Sequence, residues 1–190
     1  MAETARYSGA AIGFHWLMAA LIFAGLGYGL YMTDLPLSPQ RIRLYNWHKW
    51  LGVTVLLLAA LRLLWGLLSE PPPPLPRSMP SWEVRAARVS HGALYVLFFA
   101  VPLVGWAYTS AVGFPVVYLG IVPLPDWVPR DKALAEWLQL AHRLLAYLLA
   151  GVVIVHIGAA LKHALVDHDD ILDRMLPAWL SGHRCPIKCR

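Results

Sequence analysis

The chain has 190 residues, 58% of them hydrophobic and only 14% charged, with a mean hydropathy of +0.54, whereas a soluble domain carries about 25% charged residues. A bilayer span takes about 20 apolar residues, so four spans leave only short loops and tails, and residues 1–190 are expected to form a single transmembrane domain. The net charge of +5 is spread over the loops, which excludes nucleic-acid binding and favours contact with membrane lipid headgroups.

The first apolar stretch covers about 12–32, between Arg6 and the Asp34, Pro36, Pro39 segment. It is too long for a signal peptide and lacks a strongly basic flank, so it reads as a retained span. The second covers about 47–68, interrupted by Arg62, and ends at Pro71, Pro72, Pro73, Pro74 and Pro76; such a cluster cannot continue a helix and predicts a stiff extended connector. The third covers about 89–111 with Pro102 inside it, a kink that neighbouring helices must compensate. The loop that follows is apolar and proline-rich (Phe114, Pro115, Tyr118, Pro123, Pro125) and is expected to lie flat on the outer surface. The fourth span covers about 137–161. The expected fold is an all-α integral membrane protein, an up-down-up-down four-helix transmembrane bundle.

Basic residues orient it. With the N-terminus inside, Arg6, Arg77, Arg85, Arg88, Lys162, Arg174, Arg184, Lys188 and Arg190 face inward, against Arg41, Arg43, Lys49, Arg130 and Lys132 outside. Nine against five predicts both termini in the cytoplasm. Trp47, Trp50, Trp127 and Trp137 then fall where an outer aromatic belt belongs.

Of eight histidines, five lie in or at the ends of spans, a depth at which polar groups face the bundle interior and mark function. His142 and His156 are 14 residues apart, about 40° short of four helical turns and about 21 Å along the axis, hence on one face at two depths. The alternating span directions put His15 level with His156 near the inner end and His48 level with His142 near the outer end. Each pair can supply both axial ligands of a haem iron. A lone histidine in a span is more often an interhelical hydrogen-bonding residue, but four matched in depth, two by two, are hard to obtain by accident. Zinc is disfavoured because neither pair has Cys, Asp or Glu beside it. No CxxCH motif is present, so the expected cofactors are two non-covalent haem b groups.

Arg62 lies 14 residues after His48 and therefore near the inner level; it either pairs with a haem propionate or snorkels to the headgroups. Arg143 presents the same alternatives at the outer level. His91, near the inner end of the third span, has no partner by this reckoning; it either hydrogen-bonds a quinone carbonyl and shuttles its protons or makes an interhelical or propionate contact. Glycines 25, 27, 29, 52 and 151 serve either close approach of haem faces or helix packing. Lys162, His163 and His168, with Asp167, Asp169, Asp170 and Asp173, read as an inner amphipathic cap, and Cys185 and Cys189 as free thiols in a reducing compartment.

The segments YSGAAIGFHW, NWHKWLG, LRLLWGL, HGALYVLFFAVPLVGW, AHRLLAYLL and VHIGAALKHALVDHDDILDRMLP together resemble the bacterial di-haem cytochrome b-561 family, and within it the small superoxide oxidase-like members. The resemblance covers nearly the whole chain, apart from the terminal HRCPIKCR. It implies His15, His48, His142 and His156 as the haem ligands, residence in the bacterial inner membrane, and oxidation of superoxide on the periplasmic side with reduction of ubiquinone. Outer cations (Arg41, Arg43, Lys49, Arg130, Lys132, Arg143) suit an anionic donor, although Asp34, Asp126, Asp131 and Glu136 largely offset them. Two other functions fit the same spans: a cytochrome b subunit linking a hydrogenase or dehydrogenase to quinone, and a haem-free transporter with histidine proton relays. The donor, superoxide or another small molecule, and association into a homo-oligomer are left open.

Overall fold

Helix starts are set by side-chain caps. In the computed structural model, which describes residues 6–69, 79–177 and 180, the Ser8 hydroxyl accepts from the Ala11 amide and opens α1 (Gly9–Thr33). Ser38 does the same for α2 (Pro39–Leu68), with proline in the first turn, where its missing N–H has no intrahelical partner to lose. Asp131 accepts from the Leu134 amide at 2.7 Å and opens α4 (Lys132–Lys162), which runs on into a π-helical turn, His163–Asp167. The third helix, α3 (Ser81–Val112), ends at Gly113, whose φ of 80° lies in the left-handed region that glycine enters without a Cβ clash.

All four helices are long and apolar enough to cross a membrane, and they alternate in direction as an all-α transmembrane bundle. Each begins before the apolar run does, by eight residues in α2 and α3. The extra turns are polar or amphipathic (Arg41 and Arg43 in α2, Glu83, Arg85 and Arg88 in α3), so hydropathy does not register them although backbone hydrogen bonding continues. The proline connector and the segment bearing Cys185 and Cys189 lie outside the described residues.

The loop after α3 is folded. It forms a short hairpin, β1 (Val117–Tyr118) against β2 (Val122–Pro123), that folds onto α2 and buries Val116 to 2% exposure. Three polar side chains of α2 draw it down: Lys49 donates to Pro115 O at 3.0 Å, Trp50 to Val117 O at 2.7 Å, and Thr54 bonds the Tyr118 hydroxyl at 3.0 Å. Tertiary hydrogen bonding thus fixes the loop on α2, while Leu119, Ile121 and Val122 stay exposed at its tip.

Sequential helices pack closely, α1 on α2, α2 on α3 and α3 on α4, whereas α4 stands off from α1 and α2. A small core at mid-height, Met18, Ile22, Ala59, Leu94, Leu97, Phe98 and Leu149, joins all four. Most other apolar side chains point outward, Leu57, Leu64, Val96, Ile154 and Val155 among them, as befits a lipid-facing surface.

Candidate functional site

The gaps beside α4 are where the histidines meet. At the hairpin end, His48 of α2 and His142 of α4 have ring centroids 6.0 Å apart, with planes at 87°. At the opposite end, over which the C-terminal segment folds, His15 of α1 and His156 of α4 are 6.1 Å apart. A metal–imidazole bond of about 2.1 Å plus about 1.1 Å from nitrogen to ring centre puts two axial imidazoles on one metal about 6.4 Å apart, centre to centre. Both pairs fit that separation to within a few tenths of an ångström.

The hairpin-side rings are held as ligands need to be. His142 Nδ1 lies 3.0 Å from Val101 O; a carbonyl only accepts, so Nδ1 carries the proton and Nε2 is left with its lone pair. His48 Nδ1 is buried and makes no hydrogen bond of good geometry, its polar neighbour being the Gly25 backbone of α1. Two glycines face these rings: Gly29 stands against His48 and Gly105 against His142. Gly105 was not among the glycines singled out from the sequence, yet it follows His91 by 14 residues, the same interval that relates His142 to His156. A groove lined by Met32, Tyr45, Lys49, Pro102, Trp106 and Val116 runs beside the pair. Lys49 is turned away toward the hairpin, its ammonium 3.8 Å from the centre of the Phe114 ring.

The tail-side level is more polar. His91, unpartnered by sequence reasoning, packs on His156 with ring centroids 5.4 Å apart; α3 lies along α4, and depth matching between distant spans overlooked that neighbour. Arg62 points into the bundle, its Nη1 4.0 Å from Met18 Sδ and its Cζ 5.7 Å from the centre of the Tyr95 ring. Among the described residues no carboxylate comes within ion-pairing distance of it. Arg143 is exposed on α4.

The C-terminal segment closes this end. Trp16, edge-on to His15 at 5.3 Å, donates its indole N–H to Met175 O at 2.9 Å. The Tyr7 amide bonds Arg174 O, and Arg6 bonds Leu176 O. Lys162 bridges Glu83 of α3 at 2.7 Å and Asp167 at 2.6 Å, while His163 pairs with Asp169 at 2.7 Å. The amphipathic cap expected here therefore exists as an ion-paired turn, with His163 engaged by carboxylates.

Apolar spans carrying imidazole pairs at two depths, each pair spaced as two ligands of one metal would be, are an arrangement that a membrane-embedded haem protein could use. The chain belongs to the prokaryotic cytochrome b561 family, whose model matches residues 6–178. It is 33% identical over 172 residues to cytochrome b561 homolog 2 of Escherichia coli (strain K12), covering 90% of this chain and 91% of that protein. It is 32% identical over 177 residues to the probable superoxide oxidase CybB of Yersinia pestis, with 90% and 96% covered, and 29% identical over 180 residues to cytochrome b561 homolog 1 of Escherichia coli (strain K12), with 90% and 97% covered. The protein is accordingly a multi-pass bacterial membrane oxidoreductase that transfers electrons across the membrane by means of b-type haem.

Proposed function

We propose that the protein holds two b haems, one between His15 and His156 and one between His48 and His142, and that it oxidises superoxide at the periplasmic face while reducing ubiquinone. The observation that carries this reading is the pair of histidine separations, 6.1 and 6.0 Å. The resemblance to a probable superoxide oxidase over nearly the whole length of both proteins supports the donor. Two superoxide anions yield two electrons and two molecules of oxygen; ubiquinone takes up those electrons with two protons. When bound, haem supplies a one-electron couple, and with imidazole on both sides of the iron the chemistry is outer-sphere transfer.

The chain's own residues do the rest. The mid-height core from Met18 to Leu149 puts buried apolar side chains between the two levels, a lining that disfavours water along that path. Arg62, buried in part and with no carboxylate in ion-pairing distance among the described residues, is suited to bind a haem propionate. His91, beside His156, is placed to donate a hydrogen bond to a quinone carbonyl and to hand on its proton. The hairpin end, with Lys49, Arg41 and Arg130, would then face the periplasm and both termini the cytoplasm, the whole chain acting as one inner-membrane domain.

The purified protein tests this directly. Superoxide should reduce it faster than spontaneous dismutation removes the anion, and added ubiquinone should reoxidise it, both in stopped flow. Absence of reduction, together with co-purification of a large iron–sulfur or flavin protein in mild detergent, would instead make the chain the membrane subunit of a hydrogenase or dehydrogenase.

A further inference from the structure

Each helix carries two functional positions separated by the same interval: His15 and Gly29 in α1, His48 and Arg62 in α2, His91 and Gly105 in α3, His142 and His156 in α4, every pair 14 residues apart. Because the helices alternate in direction, the hairpin-side level gathers Gly29, His48, Gly105 and His142. A Cβ on Gly105 would stand 2.9 Å from His142 Cε1 and 3.0 Å from its Nδ1, and a Cβ on Gly29 would stand 3.3 Å from His48 Cε1. The first separation is below what side-chain carbons tolerate. The His142 ring has little freedom to retreat, because its Nδ1 is hydrogen-bonded to Val101 O, one turn before Gly105 on the same helix. Neither glycine has a positive φ, so backbone conformation does not call for them. At Gly13, Gly66, Gly92 and Gly158 an added Cβ would meet nothing within 4 Å, and at Gly52 it would make only an ordinary contact with Pro102 at 3.7 Å, so among the helical glycines the tight approach is confined to Gly29 and Gly105.

We infer that Gly105 is a positioning residue for the His142 imidazole, and Gly29 for that of His48: the side chains they lack leave the space in which the two rings take up the orientation required for a shared iron. The inference rests on the reading of His48 and His142 as axial ligands. It predicts a graded series. Alanine favours a helix over glycine, so Gly→Ala at a position without a ring contact should leave the protein intact or firmer, and any loss must come from the ring.

The test uses the haem-loaded protein in detergent and compares Gly105→Ala, Gly29→Ala, Gly66→Ala and His142→Ala by haem content, low-spin electron paramagnetic resonance and the rate of haem loss to a scavenging apo-globin. Gly105→Ala should shift the resonance of one haem and speed its loss about tenfold, the scale on which disturbed ligand orientation weakens a metal site. The other haem should keep the parental signal. Gly29→Ala should move the same haem by less, and Gly66→Ala should match the parent. Where Gly105→Ala does not accumulate, Gly29→Ala decides, since its contact is the milder one. Parental resonances and loss rates in the glycine variants, with one haem missing from His142→Ala, would overturn the positioning role alone. Two haems retained in His142→Ala would overturn the ligand reading beneath it.

Discussion

The two histidine levels share their ring spacing and each takes one imidazole from α4, but they differ in what surrounds the rings. At the hairpin side each imidazole faces a glycine, His142 is tied to Val101 O, and the neighbouring groove is largely apolar. At the tail side the same helix faces present Arg62 and a third imidazole, His91, and the C-terminal segment reaches His15 through Trp16. Equal geometry along the helices therefore does not mean equal chemistry. One level is built for constraint. The other has a cation and a third imidazole beside the His15–His156 pair, which would suit the quinone end of the proposed path.

The comparison can be broken most forcefully at the ligands. His142→Ala or His48→Ala should each remove one haem and leave the second, lowering haem per chain from two to about one, as read by a reduced-minus-oxidised spectrum with haem quantitation. His15→Ala and His156→Ala should remove the other. Losses grouped in any other way would disprove the pairing.

Arg62 sharpens the contrast in charge. A cation favours the reduced, less positive iron, so Arg62→Leu should lower the midpoint potential of the tail-side haem and spare its counterpart. At about 10 Å and an effective dielectric near 20, the interaction is about 1.7 kcal/mol, or about 70 mV for one electron, reduced where a propionate shares the charge. Redox titration followed optically should show one potential falling while the other stays put.

A smaller effect is expected where the tail meets α1. Trp16→Phe removes the hydrogen bond to Met175 O, a net loss of about 1 kcal/mol, and should lower the thermal midpoint by about 2–4 °C for a chain of this size. Smallest of all is Arg143→Gln: the side chain is exposed, so spectra and potentials should both be unchanged. A shift of either haem would mean that Arg143 reaches one of them after all.

Much of this arrangement is legible without coordinates. Four apolar runs, the 14-residue interval between His142 and His156 and the depth matching of His15 and His48 follow from helical pitch alone, because a membrane leaves the backbone little choice but helix. The pairing of the four histidines by depth agrees with the ring contacts found between α1 and α4 and between α2 and α4. Helices α2 and α3 begin eight residues before their apolar runs, because the Ser38 cap and the Ser81–Arg88 segment extend the backbone spiral through residues that hydropathy counts as loop. His91 was left alone because depth was matched by ligand pairs, while lateral adjacency of α3 and α4 is a packing outcome. Composition likewise hid the hairpin: Pro115, Val117 and Tyr118 read as interfacial, but their partners are Lys49, Trp50 and Thr54.

Periodicity and hydropathy by themselves determined the class of fold, the two depths and the residue types at each, since these depend only on rise per residue and on the cost of polar groups in hydrocarbon. Tertiary structure decided the lateral order of the helices, the standing-off of α4 from α1 and α2, and which ring touches which glycine or carbonyl. Those are matters of rotation about each helix axis and of side-chain contact, and they are settled by packing between segments distant in the chain.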